Sequence, residues 1–207
     1  QGLFESKDGT VPVYCGLQRG EKKVFKADGA VYERLSEHMG RFPVVMISPA
    51  DRNLLTDGSD VRRKFMDQTI AQSNPAFLHA LICYNRALSQ RNALLKYFAA
   101  NRTFDADTLT LYDDQLCEYA PLIHEARERF VEAFVPMLKH NYAQIAGDEE
   151  DVDLRYRSKL HEMSMRNLLT ESLAKDRLLQ YSTAGPHRED LLFELHGRSL
   201  RQVGSQG

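Results

Sequence analysis

Two hydrophobic periods divide the chain. Over residues 1–47 apolar and polar positions alternate in the short runs LFES, VPVYCGLQ and KKVFKADG, broken at Asp8-Gly9, Gly20 and Asp28-Gly29. Alternation bounded by turn dipeptides predicts antiparallel strands. A short helix is predicted over Ala30–Met39. The apolar run Pro43-Val44-Val45-Met46-Ile47 then reads as a strand that Pro49 ends, because proline has no N–H for a ladder. From Ser59 the period lengthens to about 3.5 residues. After Pro75 a stripe of Phe77, Leu81, Tyr84, Leu88, Leu95 and Phe98 is interrupted only by Arg91. From near Thr108 a second helix carries Leu116, Tyr119, Ile123, Ala126, Phe130, Ala133 and Met137 at spacings of three and four, the seam of an antiparallel pair. Roughly 35 residues at ~1.5 Å each span about 50 Å, with kinks expected at Pro121 and Pro136. Beyond the acidic turn Gly147–Asp151, VDLRYRS reads as a strand and Met165–Leu179 as a helix. A strand into Gly185-Pro186, then LLFELHG and a turn at Gly197, return the chain to β structure.

The order β, long helices, β predicts an α+β fold in which a helical arm is inserted into one head. The expected divisions are a first part of the head at 1–57, the arm at 58–179 and returning strands at 180–207. The joint between head and arm is Ser48–Asp67, with Pro49 and Asp51 in its first turn and Ser59 predicted as the helix N-cap. Arg62 and Arg63 fall in the first turn of that helix, where cations oppose the helix dipole. They are therefore either a solvated pair or a pair answered by an anion or carboxylate, a brace for the joint. On the following helix Gln90, Arg91 and Asn92 are consecutive, so at least one must point inward. A buried arginine needs a partner, and Asp67 or Asp113 is the expected one, with DNA contact as the other reading. His187, in the turn Gly185-Pro186-His187-Arg188, has no nucleophile near it in sequence. It reads as a hydrogen-bonding histidine more readily than as a general base, and Arg188 as part of a salt-bridged strand start.

These residues together resemble the RecF family of DNA-repair ATPases, members of the ABC/SMC-like group. The elements that match, in order, are Pro49, Leu54-Leu55, Gly58, Arg62-Arg63 and Phe65-Met66-Asp67. Tyr84 with Leu88, Gln90-Arg91-Asn92 and Leu95 follows, then Tyr181 with Gly185-Pro186-His187-Arg188, and last Gly204-Ser205-Gln206-Gly207. Ala50, Asp57 and Ser59 depart from the family pattern, which has an acid, a Gly and a Pro there. The resemblance implies part of an ABC-type ATPase head with an inserted arm. It implies that Gly204, Ser205, Gln206 and Gly207 form the signature loop, which meets ATP held by the partner of an ATP-dependent homodimer. Small residues at a helix start suit that contact. It further implies ATP and Mg2+ as cofactors of the full-length protein, DNA at single-strand/double-strand junctions, and RecO and RecR as partners in loading RecA at gaps. Two other classes stand beside it: a non-enzymatic coiled-coil interaction module, and another SMC-like ATPase, which would carry a far longer helical insertion.

Composition narrows these readings. The 207 residues are 43% hydrophobic and 27% charged, with a net charge of -2, so DNA contact calls for a local basic patch such as Arg62-Arg63-Lys64 or Lys22-Lys23. Cys15, Cys83 and Cys117 are far apart and in no CxxC spacing. They read as reduced thiols of a cytoplasmic protein, with no metal-ligating set. The sequence holds neither GxxxxGK[ST] nor an apolar strand ending in paired acids. The stretch is therefore expected to be the central part of a longer chain, with no ATP turnover of its own and no bound nucleotide.

Overall fold

The computed structural model describes residues 1–6, 9–42, 48–146 and 150–200. The predicted strand Pro43–Ile47, most of the acidic turn and the loop Gly204–Gly207 lie outside the described residues.

The first sheet is an antiparallel meander of β1 (Gly2–Ser6), β2 (Gly9–Gly16), β3 (Val24–Ala27) and β4 (Ala30–Val31). The last strand replaces the helix predicted at Ala30–Met39. Asp28 and Gly29 both take positive φ, 55° and 80°, the twist of a two-residue hairpin loop. The chain therefore folds straight back, pairing Ala27 with Ala30 and Lys26 with Val31. Only a single 3-10 turn, Leu35–Glu37, follows, and Tyr32, His38 and Phe42 gather in a ring cluster that includes Phe25 on β3.

After a 3-10 turn at Pro49–Arg52, the short α1 (Asn53–Thr56) leads into α2 (Ser59–Ala71). Gly58, not Ser59, is the N-cap of α2, and Ser59 is its first helical residue. A Cβ at Gly58 would lie 2.5 Å from Asp60 Oδ1, so the first-turn carboxylate occupies the space a capping side chain would need. Helix α3 (Pro75–Asn101) starts with Asn74 accepting from the Phe77 N–H and with proline in its first turn, a sequence-coded start. Arg102, with φ 50°, ends it. Helix α4 (Ala106–Ala146) is 41 residues long and passes Pro121 and Pro136 without interruption. Both prolines are exposed, on the side where water can replace the hydrogen bond each removes.

The second sheet is β5 (Val152–Arg157), β6 (Asp190–Leu195) and β7 (Arg198–Ser199), antiparallel throughout. Between β5 and β6 lies α5 (Met165–Leu179), capped by Ser164. No strand forms at 180–184. Two of its amides are taken by side chains instead: Ser182 N–H by Asn92 Oδ1 at 2.7 Å and Thr183 N–H by Asp176 Oδ1 at 2.8 Å. The main core joins α2, α3, α4, α5 and the second sheet through Met66, Tyr84, Leu116, Leu168, Leu154 and Leu191. Pairing of β5 with β6 runs across residue 180, so the second sheet draws on both sides of the predicted arm–head division.

Candidate functional site

The joint is held by arginines buried among carboxylates. Arg62, 5% exposed, grips Asp190 at the start of β6 with two bonds, Nε to Oδ1 at 2.8 Å and Nη2 to Oδ2 at 3.2 Å. Its Nη1 also donates to the carbonyls of Leu54 and Asp57. One guanidinium thus ties α2, the α1 turn and β6. Arg63 goes to a backbone group, donating from Nη1 to the Glu189 carbonyl at 2.6 Å. Burial, and then the Arg127 charge, lower its pKa from the usual arginine value. Asp51 stays in its own turn, accepting from the Ser48 N–H.

A second node is centred on Arg127 of α4. It pairs bidentately with Asp67 of α2, at 2.9 and 3.0 Å, and donates to Glu189 Oε2 and the Pro186 carbonyl, both at 2.9 Å. Glu189 also accepts from Tyr156 and Ser158. Burial alone would favour a neutral Arg127; Asp67, Tyr156 and Glu189 reverse that and raise its pKa.

A third node forms around Arg91, fully buried on α3. Nε reaches Asp113 of α4 at 2.6 Å, while Nη1 reaches Asp176 of α5 at 2.7 Å and Ser182 Oγ at 2.8 Å. Of the two carboxylates expected for it, Arg91 therefore takes Asp113, and Asp67 belongs to Arg127. Burial outweighs Arg91 and raises the Asp113 pKa. Asn92 holds the Ser182 amide and hydroxyl. Gln90 is exposed and outside the network.

His187 closes the arrangement. Nε2 lies 3.0 Å from the Ser182 carbonyl and Nδ1 2.8 Å from Tyr84 Oη. A carbonyl only accepts, so Nε2 carries the proton and Nδ1 accepts from the tyrosine. Burial holds the imidazole neutral, with its pKa pulled down to about 4. With both nitrogens engaged it has no free position from which to move a proton. Gly185 is required here: its φ is 122°, and a Cβ would meet Tyr84 Oη at 2.5 Å and Met165 Cε at 2.8 Å. Among the described residues Arg188 has no salt bridge; it stacks over Tyr181 at 4.9 Å and donates to the Ser182 carbonyl, while Glu189 and Asp190 carry the ion pairs.

A cleft of about 330 Å³ borders the network, lined among others by Asp60, Arg63, Asp67, Tyr84, Arg127 and His187. The surrounding groups fix positions; among the described residues lining it, no nucleophile faces a free base. Of Arg62-Arg63-Lys64, only Lys64 is exposed, whereas Lys22 and Lys23 are both exposed. Beside Glu189, α4 and the 3-10 turn Lys159–His161 bring together His124, Glu128 and His161.

Arg127, Asp176 and Ser182 escaped the sequence reading. Arg127 lies four residues from both Ile123 and Val131, which are buried on the same helix; the spacing from Ile123, a stripe position, was its only legible signal. Asp176 and Ser182 had none.

No protein-family model matches the chain. It is 47% identical over 204 residues to "DNA replication and repair protein RecF" of Flavobacterium johnsoniae, covering 99% of this chain and 57% of that protein. It is 40% identical over 207 residues to the protein of the same name from Parabacteroides distasonis, covering 56% of it. Among solved structures, that of "the recombination mediator protein RecF-ATP in RecFOR pathway" superposes with a TM-score of 0.91 at 28% identity, over 99% of this chain and 57% of that one. The corresponding RecF-ATPrS structure gives 0.86, over 96% of this chain and 55% of that one. The chain thus spans rather more than half the length of the relatives it matches.

Proposed function

Because the chain belongs to the RecF family along its whole length, we propose that the protein carrying it is a cytoplasmic DNA replication and repair factor. In this reading it binds DNA at single-strand gaps in an ATP-dependent way and helps load RecA together with RecO and RecR. Its head is formed by residues 1–57 and 180–207 and its arm by 58–179, with β5 of the arm segment completing a sheet with β6 of the head. The observation that carries the reading is the 0.91 superposition on a RecF–ATP structure over 99% of the chain.

The buried network supports a specific role for the joint. Strands β6 and β7 lead toward the candidate signature loop, and the first residue of β6, Asp190, is clamped to α2 by Arg62. Glu189 before it is clamped to α4 by Arg127. A shift of the loop toward a partner's nucleotide is then passed to the arm through short, desolvated ion pairs instead of a flexible hinge. When bound, ATP with Mg2+ supplies phosphate charge between two heads. This chain's contribution is the Ser205 hydroxyl and the backbone N–H groups of Gly204–Gly207, small residues that allow close approach.

The test uses the full-length protein. Ser205→Arg places a bulky cation in the loop and should abolish ATP-dependent dimerisation, read by analytical ultracentrifugation with and without nucleotide, while leaving the Tm within a few degrees. Unchanged dimerisation would remove the signature assignment. A salt titration of gapped-DNA binding should steepen with ATP, because each neutralised phosphate adds about 0.9 to the slope.

A further inference from the structure

One cluster outside the joint carries chemistry that the reading above does not use. His124 and Glu128 stand one turn apart on the same face of α4, and His161 comes from the 3-10 turn after β5. Their ligand atoms lie within 4.8 Å of one another. His161 Nε2 is 3.1 Å from Glu128 Oε1, and His124 Nε2 is 4.0 Å from Glu128 Oε2. Two ligands of one tetrahedral zinc ion, each about 2.1 Å from it, sit about 3.4 Å apart. The first pair is thus already at that separation. The others close by rotating Glu128 and His161, whose side chains are 44% and 37% exposed.

The second nitrogen of His124 is an independent sign. Nδ1 is buried and has no hydrogen-bond partner, yet it points toward Glu189 Oε1 at 3.8 Å. Both nitrogens of this imidazole therefore face carboxylates, and a neutral ring has only one N–H to offer. A cation on Nε2 resolves the mismatch. Nδ1 then carries the proton and turns it to Glu189, the carboxylate–histidine–metal arrangement in which the outer acid orients the ligand. His124 and His161 also line a cleft of about 480 Å³ with Cys117, Pro121 and Ser164, so a fourth position is reachable from solvent.

We propose that His124, Glu128 and His161 bind one divalent transition-metal ion of the zinc class, with its remaining position open to the cleft. The ion pins the turn after β5 to the middle of α4. Through Glu189 it adjoins the Arg127 node, so its binding stiffens the arm where the second sheet meets it. Two nitrogens and one carboxylate suit zinc better than magnesium or calcium, which favour all-oxygen sets.

The experiment takes the untagged full-length protein, stripped with a chelator and titrated with Zn2+ alone against a chromogenic competitor. Binding of about one Zn2+ per chain is expected, with a rise in Tm that the chelator reverses. His161→Gln and Glu128→Gln, both at partly exposed positions, should each weaken binding at least tenfold with unchanged far-UV circular dichroism. His140→Gln, on the same helix but outside the cluster, should bind as the parent does. Cobalt in place of zinc should show the visible absorption of a four-coordinate site. Absence of binding at micromolar Zn2+, or undiminished binding in both cluster variants, would overturn the proposal.

Discussion

At the scale of single residues, the joint depends on guanidiniums that have left water. Removing one member of a buried pair leaves the other charge without compensation, which typically costs about 3–5 kcal/mol. Arg127→Ala strands both Asp67 and Glu189. It should lower the unfolding free energy by about that amount in urea titrations, with Arg63→Ala, which loses a bond to a carbonyl only, costing about 1 kcal/mol. Equal losses would mean that the carboxylates near Arg127 are solvated. A double-mutant cycle on Arg62 and Asp190 should give a coupling above about 1 kcal/mol.

His187 sets a pH dependence at the same scale. Its folded pKa, about 4, lies below the unfolded value near 6.5. Between these values the unfolded chain holds more protons, so stability falls as pH drops through this window and is complete above it. The contribution reaches about 3 kcal/mol at its fullest. Carboxylates titrate in part of the same range, so the comparison is between the parent and His187→Gln. The difference in their unfolding free energies should shrink from pH 7 to pH 4, and a constant difference would show that His187 is not held neutral.

At the scale of elements, the prolines and glycines decide how far local signals carry. Helix α4 runs through two prolines because both face solvent. The hairpin at Asp28-Gly29 overrides a weak helical signal because its φ angles force immediate pairing. Gly185 is the most constrained connection. Gly185→Ala meets both a positive φ and the Tyr84 hydroxyl, and should cost more than about 2 kcal/mol, seen as a lower Tm. Tyr84→Phe removes the clashing oxygen, so Gly185→Ala should cost less in that background than in the parent. Strict additivity would show that the close approach is not what requires glycine.

For the molecule as a whole, the main core and the ion pairs bind α2 through α5 and the second sheet into one body. Among the described residues the first sheet contributes only Val13 and Ala27 as buried apolar residues, and neither joins that core. Within the 207-residue chain, amides of β1–β4 should therefore exchange with solvent orders of magnitude faster than those of α3 and α4. Uniform protection across both would contradict this division.

Periodicity in the sequence determined the α+β order, the paired long helices and the Met165–Leu179 helix, because one-faced burial writes itself into spacing of two or of three and four. The quoted motifs were enough to identify the family. The pair Arg62-Arg63 left open whether it was solvated or answered by a carboxylate, and did not say where such a partner would come from. That was decided by the tertiary structure, because Asp190 lies 128 residues from Arg62, and Glu189 62 from Arg127. Asp67 was named in the sequence as one of two alternative partners for Arg91; Asp113 takes that place and Asp67 pairs with Arg127. His161 meets Glu128 only because the turn after β5 folds back onto α4. Local pattern records which face of an element is dry; it does not record which distant residue shares that dry face, and long-range electrostatic partners exist only once the chain has closed around them.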